Sequence, residues 1–212
     1  MVVMDYGILI MKKFIAIAGN MGVGKTTLVD FLSQTYGFEP VYEPYMNNPY
    51  LDDFYKEMER WGFQSQIYFL THKFRLHMEL NNNKKIVIQD RTIYEDAEIF
   101  CTNLYRTGKL NKRDYETYME LYQTMRTALQ PPDLMIYLRC SVKAIRRRIK
   151  IRGRKSEMHI PVEYITSLNE LYEEWTDRYQ LSPMMVWDSE RQDYMCNFMD
   201  RIELHKQIET YL

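Results

Sequence analysis

The segment Gly19-Asn20-Met21-Gly22-Val23-Gly24-Lys25-Thr26 constrains this chain more than any other, because its glycines, lysine and threonine stand at the spacing of a phosphate-binding P-loop. Before it runs Phe14-Ile15-Ala16-Ile17-Ala18, a short apolar stretch suited to a buried parallel strand. After it, Thr27-Leu28-Val29-Asp30-Phe31-Leu32 repeats its apolar positions at helical spacing. Strand, glycine loop and helix in this order let successive backbone N–H groups and a helix N-terminus surround phosphates. Gly19, Asn20, Met21, Gly22, Val23, Gly24, Lys25, Thr26 and Thr27 are therefore the expected cradle for a nucleotide triphosphate. Gly22 and Gly24 allow close backbone approach, Lys25 neutralises the β- and γ-phosphates, and Thr26 offers its hydroxyl to Mg²⁺.

Four more short, unalternating apolar runs follow, at Val41-Tyr42, Ile86-Val87-Ile88, Leu134-Met135-Ile136-Tyr137-Leu138 and Met184-Met185-Val186-Trp187. With the first they predict a P-loop three-layer α/β fold, a parallel sheet of about five strands flanked by helices. Helical patterns fill the intervals, over 25–36, 48–58, 61–80, 94–106, 112–129, 142–150, 161–179 and 193–211. At 212 residues the chain suits one domain, spanning 13–212, with residues 1–12 read as an N-terminal extension ahead of the first strand.

Charge and apolar content narrow the partners. Lys and Arg number 28 against 29 Asp and Glu, so no global positive field recruits nucleic acid or an anionic membrane. Nothing approaches the run of about 18 apolar residues that a membrane span needs. The first ten residues have no basic stretch and no small-residue cleavage site, a poor fit to a signal peptide. Cys101, Cys140 and Cys196, and His72, His77, His159 and His205, show no metal-ligand spacing. Reduced cysteines in a cytoplasmic protein are the reading that follows.

In a sheet of this kind ligands lie beyond the carboxyl ends of the strands, so the residues just after each apolar run carry the chemistry. Glu43-Pro44 follows the second run, and a carboxylate there can accept a proton from an attacking hydroxyl. Asp90-Arg91-Thr92 follows the third, pairing a candidate Mg²⁺ ligand, Asp90, with a guanidinium that steadies an acceptor or a phosphate. Between Ser141 and Ser156 stand eight cations and no anion, with Gly153 among them. A lid over about 146–157 that brings Arg148, Arg152 and Arg154 to the transferring phosphoryl group explains this run better than a nucleic-acid surface on a chain of near-zero net charge. Asp188 follows the fifth run and joins the candidate nucleotide contacts. On the aromatic helix that begins near Trp61, Gln64 lies one turn before Tyr68, and a glutamine amide can pair bidentately with a base edge, which points to a nucleoside acceptor. Asn111-Lys112-Arg113-Asp114 imitates a guanine-specificity motif. It follows no buried strand, however, and Asn111 reads as a helix N-cap.

The ordered set Asn48-Pro49-Tyr50-Leu51, Tyr55, Arg60-Trp61, Phe63-Gln64 and Asp90-Arg91-Thr92-Ile93-Tyr94-Glu95-Asp96 resembles the deoxyribonucleoside kinases, above all the bacterial members that act on deoxyadenosine and deoxycytidine. The resemblance runs from Lys13 to about Asp188. It implies transfer of the γ-phosphate of ATP, with Mg²⁺, to the 5′-hydroxyl of a deoxynucleoside by a homodimer. It further implies that Glu43 is the base for the 5′-hydroxyl, that Arg91 steadies Glu43, and that Asp90 serves the metal. Tyr55 and Glu173 would hold the 3′-hydroxyl, while Gln64 and Asp96 would face the base. Thr71 then stands where many relatives carry the arginine that partners this Asp, with Lys73 or Arg75 as its substitutes. Deoxyadenosine is the expected substrate, deoxycytidine second and thymidine poor. A nucleoside monophosphate kinase and a nucleotide-binding switch are the alternatives. Glu43 would repel the acceptor phosphate of the first, and the second lacks any Asp-x-x-Gly segment.

Overall fold

The computed structural model describes residues 13–43, 47–80, 85–154, 157–158 and 160–211. The N-terminal extension, Pro44, Lys155, Ser156 and His159 lie outside them. Five strands, β1 (Phe14–Ala18), β2 (Glu39–Val41), β3 (Val87–Asp90), β4 (Leu134–Arg139) and β5 (Met184–Asp188), form one sheet in the order β2-β3-β1-β4-β5, and every pairing is parallel. Covered on both faces, β1 and β3 are buried at every residue, and that is why their sequences run apolar without alternation. At the edges β2 and β5 keep partly open positions, such as Val186 at 40 % exposure.

The helices are α1 (Lys25–Tyr36), α2 (Leu51–Lys56), α3 (Met58–Leu80), α4 (Ile93–Glu95), α5 (Thr102–Arg106), α6 (Lys112–Arg126), α7 (Val142–Arg152), α8 (Val162–Arg178) and α9 (Phe198–Glu209). A π-helical turn, Asp96–Cys101, joins α4 to α5. Asn111 does cap α6, accepting from the Asp114 N–H at 2.9 Å. α9 starts five residues later than the periodicity predicts, because Asp193 accepts from the N–H groups of Met195 and Cys196 and turns the chain before Asn197 caps the helix.

The core is apolar and continuous across the sheet, with Ile15, Ile17, Leu28, Leu32, Ile136, Leu168 and Trp187 at 1 % exposure or less. Each such aliphatic side chain contributes roughly 1.5 to 3 kcal/mol by leaving water. The chain order places β2 and β3 on one side of β1 and β4 and β5 on the other, so the crevice at the carboxyl end of β1 is the switch point where an α/β sheet holds its ligand.

Candidate active site

The loop between β1 and α1 occupies that crevice. Gly19 has φ 142°, and a Cβ there would stand 2.9 Å from both the Leu138 carbonyl and a Val23 methyl, so no other residue fits. Gly22, at φ 75°, comes so close to α7 that a Cβ would stand 2.9 Å from Ile149 Cγ1. Lys25 folds back on the loop and donates to the carbonyls of Gly19 (3.0 Å) and Asn20 (3.1 Å). Burial, helped by nearby Arg91, brings its pKa down to about 8. A phosphate in the loop would reverse that shift.

A second layer of bonds fixes the loop from behind. The Gly19 N–H donates to Glu95 Oε1 at 3.1 Å, while Glu95 Oε2 accepts from the Thr92 N–H at 2.9 Å and closes a capping box on α4. Tyr172, from α8, places its hydroxyl 3.0 Å from the Gly19 carbonyl and 2.8 Å from Glu95 Oε1. Asn20 is likewise a brace: its side chain donates to the Ile165 carbonyl and accepts from the Met21 N–H.

Two cavities meet at the loop. The first, of about 240 Å³, is lined among others by Met21, Lys25, Tyr42, Glu43, Tyr55, Gln66, Asp90, Arg91, Asp96, Arg152, Arg154 and Glu157. The second, of about 490 Å³, opens on the other side of Gly22–Thr27 toward Arg147, Arg148, Ser189, Gln192 and Tyr194. Glycine loop, lysine and Thr26 are common to both, so one ligand's phosphates can lie where the two meet.

In the first cavity Glu43 is surrounded by cations. Arg91 donates to its Oε1 at 3.3 Å and Lys73, from α3, donates to the same oxygen at 3.1 Å. Burial would raise the pKa of Glu43, but Arg91, Lys73 and Lys25 outweigh it and hold it down at about 2. Arg91 has φ 61°, a left-handed conformation that costs energy in an arginine. The turn directs its guanidinium to the Gly19 carbonyl (3.1 Å) as well as to Glu43, over the Phe100 ring. Burial opposes its charge, yet Glu43, Tyr172, Glu95 and Asp90 raise its pKa well above the ordinary value. Deeper in, Asp96 Oδ1 accepts from Lys73 at 2.6 Å, whereas its buried Oδ2 has no hydrogen-bond partner. Burial pushes Asp96 up to about 6 against the pull of Lys73. Thr26 donates to Asp90 Oδ2 at 2.5 Å, and Asp90 Oδ1 is buried without a partner. Hard oxygen atoms of this kind beside a phosphate loop suit Mg²⁺.

Residues 15–212 match the deoxynucleoside kinase family. The chain belongs to that family. Its similarity to the deoxyadenosine/deoxycytidine kinase of Bacillus subtilis is 37 % identity over 176 residues, covering 82 % of this chain and 81 % of that one. The deoxyguanosine kinase of Lactobacillus johnsonii is 33 % identical over 208 residues, covering 93 % and 92 %. Among solved structures, a deoxyadenosine kinase from M. mycoides with bound dATP superposes with a TM-score of 0.82 at 33 % identity, covering 93 % of this chain and 99 % of that one.

With the kinase thus placed, the expected site residues can be located one by one. Glu43, Tyr55, Asp90, Arg91, Asp96, Lys25, Thr26, Arg152 and Arg154 all line the first cavity. Four expected residues fall elsewhere. Gln64 lies in a separate shallow groove with Tyr50, Phe63, Ile67, Tyr68, Thr71 and His72. Two residues on, about 200° around the helix, Gln66 is the glutamine in the cavity, buried with its Oε1 unpartnered. Glu173 does not reach the site: its carboxylate accepts from the Tyr137 hydroxyl at 3.0 Å and from Arg139 at 3.0 Å. Glu157, not singled out in the sequence, faces the cavity with Tyr55. Asp188 shapes the turn after β5, accepting from the N–H groups of Glu190 and Arg191, and the second cavity is lined by Ser189 onward. Arg148 is a brace, donating to the Val23 carbonyl at 2.8 Å and to the carbonyl and hydroxyl of Ser189.

Of the two residues expected to stand in for the arginine missing at Thr71, Lys73 is the one that reaches Asp96. Thr71 and Arg75 are exposed, while Lys73 is fully buried against it. Of the lid expected over about 146–157, residues 146–152 belong to α7, which ends at Gly153 with φ 67°, and Lys155 and Ser156 lie outside the described residues. Arg152 and Arg154 both pair with Glu157.

Proposed function

We propose that the kinase transfers the γ-phosphate of ATP, with Mg²⁺, to the 5′-hydroxyl of a deoxynucleoside whose base carries an amine where guanine and thymine carry a carbonyl, deoxyadenosine or deoxycytidine. The observation that carries the base assignment is the deep pair of Gln66 and Asp96, each with a buried oxygen lacking a partner. Asp96 Oδ2 can accept from an exocyclic amine, and Gln66 can pair with the neighbouring ring atoms. Thymine offers a carbonyl at that place, which an ionised Asp96 repels. The M. mycoides relative is described with bound dATP and with bound dCTP, in keeping with an amino base.

The base, bound deep, sets the 5′-hydroxyl beside Glu43. Both cations take Oε1, which leaves Oε2 for the hydroxyl. A carboxylate of pKa about 2 is a weak base. Its first work is to aim the nucleophile, and it takes the proton late, as the loose transition state of phosphoryl transfer allows. Tyr55 and Glu157 suit the sugar hydroxyl. Lys25, Arg152 and Arg154, which all line the first cavity, face the point where charge develops. Thr26 and Asp90 would hold Mg²⁺, which neutralises phosphate charge. The second cavity, with Ser189 and Gln192, would take the donor's base. The kinase acts in this proposal as a cytoplasmic homodimer, as its likeness to the family implies. Sedimentation tests the dimer. Among the described residues no helix is long and apolar enough to cross a membrane.

Competition among the four deoxynucleosides at equal concentration tests the assignment. Deoxyadenosine and deoxycytidine should be phosphorylated at least tenfold faster than thymidine, a factor of ten being about 1.4 kcal/mol of discrimination. Because protonated Asp96 no longer accepts from an amine, kcat/KM for either should fall as pH drops through about 6. Thymidine winning the competition would refute the base assignment.

The two glutamines give a sharper local test. Gln66→Ala should raise the KM for deoxyadenosine on the order of 10- to 100-fold, since it leaves base atoms unpaired in a buried site. Gln64→Ala should leave it within about twofold, because Gln64 lies in the separate groove and not in the first cavity. Equal effects in the two variants would contradict the placement of α3.

A further inference from the structure

Lys73 is fully buried, and its ammonium spans two carboxylates that serve opposite ends of the first cavity: Asp96 Oδ1 at 2.6 Å in the base region and Glu43 Oε1 at 3.1 Å at the reacting end. A buried ammonium without partners would be strongly disfavoured, and here Asp96 and Glu43 overcome burial and raise its pKa. It is therefore a fixed cation with a fixed length. Glu43 sits at the end of a short segment after β2, an edge strand of three residues, and so has little rigid scaffold of its own. α3, by contrast, is a helix of 23 residues whose buried stripe Gln66, Leu70, Lys73 and His77 packs on the body of the protein.

We infer that Lys73 is a positioning residue, a tether from α3 that holds Glu43 on the acceptor hydroxyl and couples it to the carboxylate beneath the base. The geometry leaves room for substrate at both ends. On Asp96 the ammonium takes Oδ1 and leaves the unpartnered Oδ2 for the base amine. On Glu43 it shares Oε1 with Arg91 and leaves Oε2 for the hydroxyl. Ligand and tether thus do not compete, and seating the base on Asp96 steadies the same ammonium that aims Glu43. Arg91 alone does not supply this. It reaches Glu43 at 3.3 Å while also holding the Gly19 carbonyl, and so ties Glu43 to the P-loop and not to the base region.

This inference rests on the reading of Glu43 as the residue that receives the 5′-hydroxyl, and a double-mutant cycle on kcat at saturating deoxyadenosine separates the two. Lys73→Met should lower kcat on the order of 10²-fold, the cost of a misplacement of about 1 Å at the reacting centre. Lys73→Arg, which keeps the charge and can span both carboxylates, should recover most of it. In a Glu43→Gln background, Lys73→Met should change kcat by less than about threefold, because the tether has nothing left to aim. A purely structural lysine predicts independent, multiplying losses, and that result would overturn the tether. If Lys73→Met does not melt cooperatively, Lys73→Gln, which keeps hydrogen-bond donors without the charge, carries the same cycle. Near-normal kcat in Glu43→Gln alone would instead refute the reading of the site.

Discussion

Replacing Glu43 by Gln is expected to lower kcat by 10²-fold or more while binding of the deoxynucleoside survives. The amide preserves shape and one hydrogen bond to the hydroxyl, but it cannot take the proton as the O–P bond forms. It also removes the charge that Arg91 and Lys73 share, so two buried cations lose their common partner. The change should therefore cost some stability too, read as a lowered Tm, and this must be checked before kcat is interpreted. Rapid-quench measurement of a single turnover, with nucleoside affinity measured separately, is the test. Near-normal turnover would remove Glu43 from the chemistry.

Arg91→Lys should be nearly as damaging, with kcat falling about 10²- to 10³-fold. The guanidinium spans the Gly19 carbonyl and Glu43 at once, a fork that a single ammonium cannot reproduce. The backbone at φ 61° gives a second reason to regard this residue as functional, because a strained arginine persists where its direction matters. Lysine leaves the φ unchanged, so the comparison isolates the side chain. Steady-state kinetics with a circular-dichroism control decides it, and a kcat within threefold of the parent would make Arg91 a structural ion-pair partner only.

Much of this site is legible in the sequence, for physical reasons. A phosphate loop needs glycines at set positions, and the strand ends of a parallel sheet converge, so Glu43 and Asp90-Arg91 could be assigned to one place from their position after apolar runs. α3 was harder. Its buried stripe contains Gly62, Ser65, Gln66, Lys73 and His77, polar enough to blur the apolar period. The aromatic residues Phe63 and Tyr68 mark the other face of the helix, the one that carries Gln64. Glu157 was hidden by the cations around it, although an isolated acid two residues past the basic run is itself a signal. Glu95 could have been found from Thr92-Ile93-Tyr94-Glu95, a capping-box pattern beside the reactive motif. The assignment of Glu173 rested on family likeness alone, without a strand-end or loop position to support it.

In the proposed reaction this cleft presents a hydroxyl, not a phosphate, to the γ-phosphate of ATP. In that reading Glu43, whose carboxylate Arg91, Lys73 and Lys25 keep charged, admits the first and repels the second. The most direct measurement is transfer from γ-labelled ATP and Mg²⁺ to deoxyadenosine, deoxycytidine, thymidine, deoxyguanosine and each of their monophosphates, with products separated by charge. The expected main products are labelled deoxyadenosine and deoxycytidine monophosphates, with no labelled diphosphate. Labelled diphosphates formed from the monophosphates, with the nucleosides left untouched, would contradict the proposed reaction.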